Sequence, residues 1–358
     1  MTRFIIRRLL SSIPVLIGVV LLVFVLVRII PGDPCTATYG EKATPQLCAA
    51  FAVRYGLDKP LPEQFVIYAG ALAQGDLGSS IRFGRPVAEM LVERLPVTVE
   101  LTLVSLLFAA TFGILLGLVS ATRRNSPVDV GTMVVANLGV STPVFVLGLF
   151  LAFLFAVLLK NTPLALPPSG RLSAGVNVIP LATSWGLQSL SGAPRVLLDF
   201  FSNMYVFNSL ITGQWAALGD ALRHLILPAV AVGTIPLAII ARMTRSSLLE
   251  VLGLDFVRTA RAKGLKERSV VVRHGMRNAL LPVVTVMGLS LGAFLSGAIL
   301  TETIFNLTGM GKTLFEAING RDYIVVQGVT IVVAVAYLVV NLIVDVSYAF
   351  LDPRIRLE

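Results

Sequence analysis

The sequence predicts an all-α integral membrane protein with six membrane-spanning helices. Of its 358 residues 56% are apolar and only 14% are charged, whereas soluble domains carry about 25% charged residues. Mean hydropathy is +0.85. Six apolar runs are long enough for a hydrocarbon core about 30 Å thick: Leu9 to Ile30, Val97 to Ala121, Met133 to Leu159, Leu225 to Ala241, Ala279 to Leu300 and Ile324 to Leu351.

The first run follows Arg3, Arg7 and Arg8. It is longer than the apolar region of a signal peptide and lacks a small-x-small cleavage site before Pro31, so it reads as a retained helix. Orientation follows from the short loops, because Lys and Arg stay on the cytoplasmic side. Residues 242–277 hold nine basic side chains (Arg242, Arg245, Arg258, Arg261, Lys263, Lys266, Arg268, Arg273, Arg277) against Glu250, Asp255 and Glu267. That loop is therefore cytoplasmic. Arg123 and Arg124, the basic N-terminus, and Arg354 with Arg356 fall on the same side when six spans alternate, which puts both termini inside. The formal net charge of +9 thus reports topology and contact with the lipid bilayer. No basic patch interleaved with aromatics sits on a soluble domain, so nucleic acid is not an expected partner.

These assignments divide the chain into residues 1–30, the cytoplasmic N-terminus and first span; 31–96, an outer loop or cap; 97–351, a core; and 352–358, a cytoplasmic tail. Inside the core lie an outer segment, 160–224, and the cytoplasmic loop 242–277. The cap contains both cysteines, Cys35 and Cys48. An even count confined to one exported loop predicts a disulfide. The outer segment is rich in Pro, Gly and Ser and then turns apolar, which predicts short surface or re-entrant helices.

Within the spans, Gly113 and Gly117, and Gly288, Gly292 and Ser296, recur four residues apart. Such faces let helix backbones approach closely. Pro228 and Pro236 fall inside span four, where proline bends a helix. Arg28, Glu100, Asp129, Glu302 and Asp345 lie near span ends, and the sequence assigns them to headgroups and water there. His224 and His274 fall on opposite sides of the membrane, so no metal site and no catalytic set is expected.

Residues Asn306 to Thr313 nearly match the phosphate-binding pattern G-x-x-x-x-G-K-[ST], with Gly311, Lys312 and Thr313 in place. Asn306 replaces the first glycine, no buried strand precedes it, and the topology puts it outside. It is read as a decoy.

Leu254 to Pro282 is the informative segment. A polar, basic stretch leads through Gly264 to Val270, Val271 and Val272 before the chain re-enters the membrane at Asn278. It predicts a cytoplasmic amphipathic helix, a turn at Gly264 where glycine adopts positive φ, and a second helix. A surface helix of this kind suits either a partner's groove or the membrane interface.

The stretch Asp255-Phe-Val-Arg-Thr-Ala-Arg-Ala-Lys-Gly264 followed by Arg277-Asn278-Ala279-Leu280-Leu281-Pro282 resembles the loop that dipeptide, oligopeptide and nickel class permeases of ATP-binding-cassette importers present to their ATPases. The resemblance extends to Pro31-Gly32-Asp33-Pro34, Gly75-Asp76-Leu77-Gly78-Ser79-Ser80, Arg94-Leu95-Pro96, Leu222 to Pro228, Glu302-Thr303-Ile304-Phe305 and Asp352-Pro353-Arg354. Arg258, Thr259 and Ala260 stand where the general importer signature begins Glu-Ala-Ala, a departure that suits the peptide and nickel class.

The resemblance implies a type I importer fold in the plasma membrane of a prokaryote, with no chemistry and no cofactor on this chain. It implies a second homologous permease, two ATPase subunits carrying ATP and Mg, and an extracytoplasmic substrate-binding protein. Arg258, Thr259, Ala260, Arg261, Ala262, Lys263, Gly264, Leu265, Arg277 and Asn278 would couple the ATPases to the pore. A peptide is the expected cargo, with nickel or another small solute as the alternative. A secondary transporter would require inverted repeats and discontinuous helices with midplane ions, which the sequence does not display.

Overall fold

Caps and prolines set most helix starts. The computed structural model describes residues 2–29, 33–297 and 299–351. Pro31, Gly32 and the Asp352-Pro353-Arg354 motif lie outside them. The chain begins with α1 (Thr2–Ile29), then a cap of α2 (Pro34–Tyr39), α3 (Pro45–Arg54) and α4 (Leu61–Ala73). Next come α5 (Val87–Thr122), α6 (Pro127–Ser141) and α7 (Val144–Phe153). Three short helices follow, α8 (Leu181–Ser184), α9 (Ala193–Ser202) and α10 (Tyr205–Ile211), and then α11 (Trp215–Leu252). The C-terminal third holds α12 (Asp255–Ala262), α13 (Glu267–Ser269), α14 (Arg277–Gly297), α15 (Ile299–Ile304), α16 (Met310–Asn319) and α17 (Tyr323–Leu351).

Asp33, Thr44 and Ser126 each cap a helix whose first turn starts with proline, their side-chain oxygens accepting from free backbone N–H groups. This pairs the two favoured residue types for a helix start.

Among the described residues, α1, α5, α11 and α17 contain stretches long and apolar enough to cross a membrane, and the α6–α7 pair makes five if its two parts count as one span. The chain is a multi-pass membrane protein. The expected third span is not one straight helix: α6 and the stretch from Val144 to Leu158 are turned by 103°. Thr142, extended at φ −94° and ψ 122°, precedes Pro143, and proline drives the residue before it out of helical geometry. The fourth span is far longer than its apolar run. At 38 residues α11 rises about 57 Å, so it carries the chain well beyond the bilayer, and Pro228 and Pro236 both lie inside it.

α5 and α11 form the central pair, with α6 and α14 packed beside them. Apolar burial gives little driving force between helices in lipid, so close packing of small residues takes its place. A Cβ on Gly113 would lie 2.8 Å from the Leu237 carbonyl oxygen, and one on Gly117 2.6 Å from that of Ala241. Gly292 likewise faces the ring of Tyr337 on α17. The predicted packing positions Gly113, Gly117 and Gly292 are thus used. Leu9, Leu10, Ile13, Leu21 and Leu22 on α1 are exposed, as lipid-facing residues are.

The cap is held by three devices. Cys35 and Cys48 are joined in a disulfide with Cα atoms 5.5 Å apart, linking α2 to α3. Phe24 of α1 packs edge-on against Phe65 of α4 at 5.1 Å. Ser80 Oγ donates to Asp322 Oδ2 at 2.5 Å, tying the end of the cap to the turn before α17.

Candidate functional site

The basic segment after α11 folds as a small projecting unit. Val257 and Ala260, three apart on α12, turn to the same side and pack with Val270, Val251 and Leu252. Burying a valine is worth roughly 1.5–3 kcal/mol, enough to seat so short a helix. The opposite side carries Arg258, Thr259, Arg261 and Ala262, all exposed, as are Lys263, Gly264 and Leu265 beyond it.

Gly264 ends α12 at φ +75°. Its N–H donates to Arg261 O at 2.9 Å and the Leu265 N–H to Ala260 O at 3.4 Å. This is the paired Schellman arrangement that satisfies the last carbonyls of a helix and calls for glycine. A Cβ there would meet nothing within 4 Å, so the backbone angle alone imposes the residue.

Arg261 clamps the far side of the turn by donating Nη2 to Glu267 Oε1 at 2.7 Å and Nε to Oε2 at 3.1 Å. That hydrogen-bonded pair holds the Glu267 carboxyl below the ordinary carboxylate range. The chain then enters a π-helical stretch, Val270–Met276, before α14. A Cβ on Gly275 would stand 3.1 Å from Leu248 Cδ1 and 3.3 Å from Leu252 Cδ2, which brings this stretch close against α11. Arg277 and Asn278 are exposed at the start of α14, and Asn278 Nδ2 donates to His274 O at 2.9 Å. α12 is thus packed against the end of α11 and against the π-helical stretch that leads into α14.

Three acidic residues assigned to water at span ends are instead buried. Glu100, Asp129 and Glu302 are 4%, 4% and 0% exposed. Each has partners that sequence reading missed because they lie far away in the chain. Arg171 donates Nη2 to Glu100 Oε2 at 3.0 Å and stacks 3.6 Å from the centre of the Tyr205 ring, while the Val206 N–H donates to Glu100 Oε1 at 2.6 Å. These bonds fix the outer segment on α5. Asp129 accepts two hydrogen bonds of 2.8 Å from Arg245 of α11 and a further one from Ser120.

Glu302 occupies the near-match to a phosphate loop. The Lys312 N–H donates to its Oε2 at 2.9 Å and Thr98 Oγ1 to its Oε1 at 2.5 Å. A Cβ on Gly309 would collide with the same carboxylate. Backbone N–H groups at the start of α16 do hold an acidic group, as such a helix start favours, but it is the chain's own carboxyl. Lys312 Nζ donates to Asn306 Oδ1 and lies 3.6 Å from Glu316.

Long apolar helices, an exposed basic unit and buried ion pairs that tie helices together define a multi-pass membrane protein. The family described as binding-protein-dependent transport system inner membrane component matches residues 113–357, and its N-terminal membrane component matches residues 1–102. The chain belongs to this family. It is 46% identical over 357 residues to a di/tripeptide transport system permease protein of Pseudomonas aeruginosa, covering 99% of each chain. Dipeptide transport system permease proteins of Alkalihalophilus pseudofirmus and Escherichia coli are each 43% identical, again over 99% of this chain and at least 99% of theirs. The chain is a permease component and works as part of a larger transport complex.

Proposed function

We propose that the chain is one of two related permease subunits of a peptide importer in the plasma membrane of a prokaryote. ATP and Mg are handled by two ATPase subunits inside, and a substrate-binding protein delivers peptide from outside. The exposed face of α12 with the turn at Gly264 carries this reading. A short helix seated by only two buried residues, beyond the end of a 38-residue helix, is shaped to be gripped by another protein. The full-length likeness to dipeptide permeases supports the cargo.

In this reading Arg258, Thr259, Ala260, Arg261, Ala262, Lys263, Gly264 and Leu265 form the coupling element, with Arg277 and Asn278 at its root. Ala260 serves from the buried side and the others from the surface. Six spans put both termini in the cytoplasm. The test is co-expression with the adjacent transport genes, purification through this chain, and uptake of labelled dipeptide into proteoliposomes. ATPase subunits should co-purify and uptake should require ATP. Uptake driven by an ion gradient with no ATPase bound would refute the reading.

A further inference from the structure

A cavity of about 180 Å³ lies where the cap meets the ends of α1 and α17. Of the hydrogen-bond donors that line it, three stand out. Arg28 is the first: its guanidinium stacks 3.5 Å from the Phe24 ring centre and donates to Gln64 Oε1 at 2.9 Å and to Phe24 O at 3.2 Å. Among the described residues no carboxylate pairs with it. Tyr68 Oη and Gln327 Nε2 are the others, both buried without a hydrogen-bond partner, and Gln327 is only 5% exposed. Asp76 lines the same space, but it is exposed and its Oδ1 accepts from the Gly78 N–H.

A fixed cation flanked by two unused neutral donors calls for a ligand with several acceptor oxygens and a negative charge. Either a free oxyanion or a lipid phosphate offers that chemistry. The surroundings favour lipid. Ile67 of α4 lines the cavity and is exposed, and Leu61 on α4 and Leu22, Leu26 and Ile29 on α1 are exposed as well. Arg28 stands at the last turn of an apolar span, the level at which headgroups sit and to which long basic side chains near helix ends reach. We propose that this cavity binds the phosphate of a glycerophospholipid, whose acyl chains run along the exposed apolar faces of α1 and α4. The bound lipid would join the cap to α1 and α17.

The proposal is tested on the full transport complex purified in mild detergent, with bound phospholipid counted by native mass spectrometry and 31P assay. Wild-type, Arg28→Gln with Tyr68→Phe, Gln327→Leu, and the exposed-cation control Arg54→Gln are compared. The double variant should retain about one phospholipid fewer per copy of this chain, Gln327→Leu should bind dioctanoyl phosphatidylglycerol at least fivefold more weakly, and Arg54→Gln should match wild type. Millimolar inorganic phosphate should not displace the lipid. Equal retention in all four proteins overturns the site, and so does displacement by inorganic phosphate, which would mark it as a free-oxyanion site. If the double variant does not assemble, the Gln327→Leu titration decides alone, with unchanged affinity counting against the proposal.

Discussion

Thr98 on α5 and Glu302 on α15, 204 residues apart, share a 2.5 Å hydrogen bond, and the same hydroxyl accepts from the Met310 N–H at 2.8 Å. One side chain thereby holds a buried carboxylate and the first N–H of α16. Thr98→Val keeps the shape but strands both partners. Leaving a buried polar group unsatisfied costs about 1–3 kcal/mol, more where it is charged. The variant should melt lower in detergent than wild type, and Thr98→Ser should recover most of the loss. Equal melting of Val and Ser variants would remove the bridging role.

The loop around Glu302 also predicts an asymmetry between its two glycine and lysine positions. Gly309→Ala drives a methyl group into the carboxylate and should reduce folded yield sharply. Lys312→Ala removes contacts only to Asn306 and Glu316, so nucleotide binding by the assembled complex should be unchanged. Binding of a fluorescent ATP analogue to the purified complex checks this, with lost affinity contradicting the decoy reading.

Gly264→Val should uncouple uptake from ATP hydrolysis while insertion stays normal. Non-glycine residues at positive φ cost on the order of 1–3 kcal/mol, and β-branched residues tolerate it worst. The turn must therefore shift, and with it the exposed face of α12. Gly264→Asn, which accepts this conformation more readily, should be milder. Parallel uptake and ATPase rates in proteoliposomes give the answer; wild-type coupling in the valine variant would exclude the turn as the coupling element.

The Arg261–Glu267 clamp makes the projecting unit pH-sensitive in one direction. Glu267 titrates below its unfolded value because Arg261 hydrogen-bonds its charged form. Its contribution is full above the unfolded pKa of about 4.3 and is lost as pH falls through the lower folded value. Both side chains are well exposed, so the effect is small. Hydrogen exchange at Gly264 and Leu265 should be faster in Glu267→Gln than in wild type near neutral pH, and the difference should close in acid. A difference that grows in acid would contradict the sign.

Joining Cys35 to Cys48 closes a loop with a sequence separation of 13, for which chain entropy gives roughly 3 kcal/mol. Cys35→Ser with Cys48→Ser should loosen α2 and α3 to proteolysis while the spans stay resistant. Unchanged cleavage in the cap would show that its aromatic packing suffices.

The amino-acid sequence by itself determined the membrane solvent, the number of apolar runs, the small-residue faces and the turn at Gly264, because each depends on local composition or on one residue's backbone limits. The basic surface helix was legible for the same reason: Val257 and Ala260 are three residues apart and their neighbours are polar. The tertiary structure alone decided the partners of Glu100, Asp129 and Glu302. Proximity to a span end does not tell whether water or a distant guanidinium or hydroxyl meets a carboxylate, and Arg171, Arg245 and Thr98 arrive only once the helices pack. The same holds for the 38-residue extent of α11, since an apolar run marks where lipid ends and not where hydrogen bonding along a helix stops.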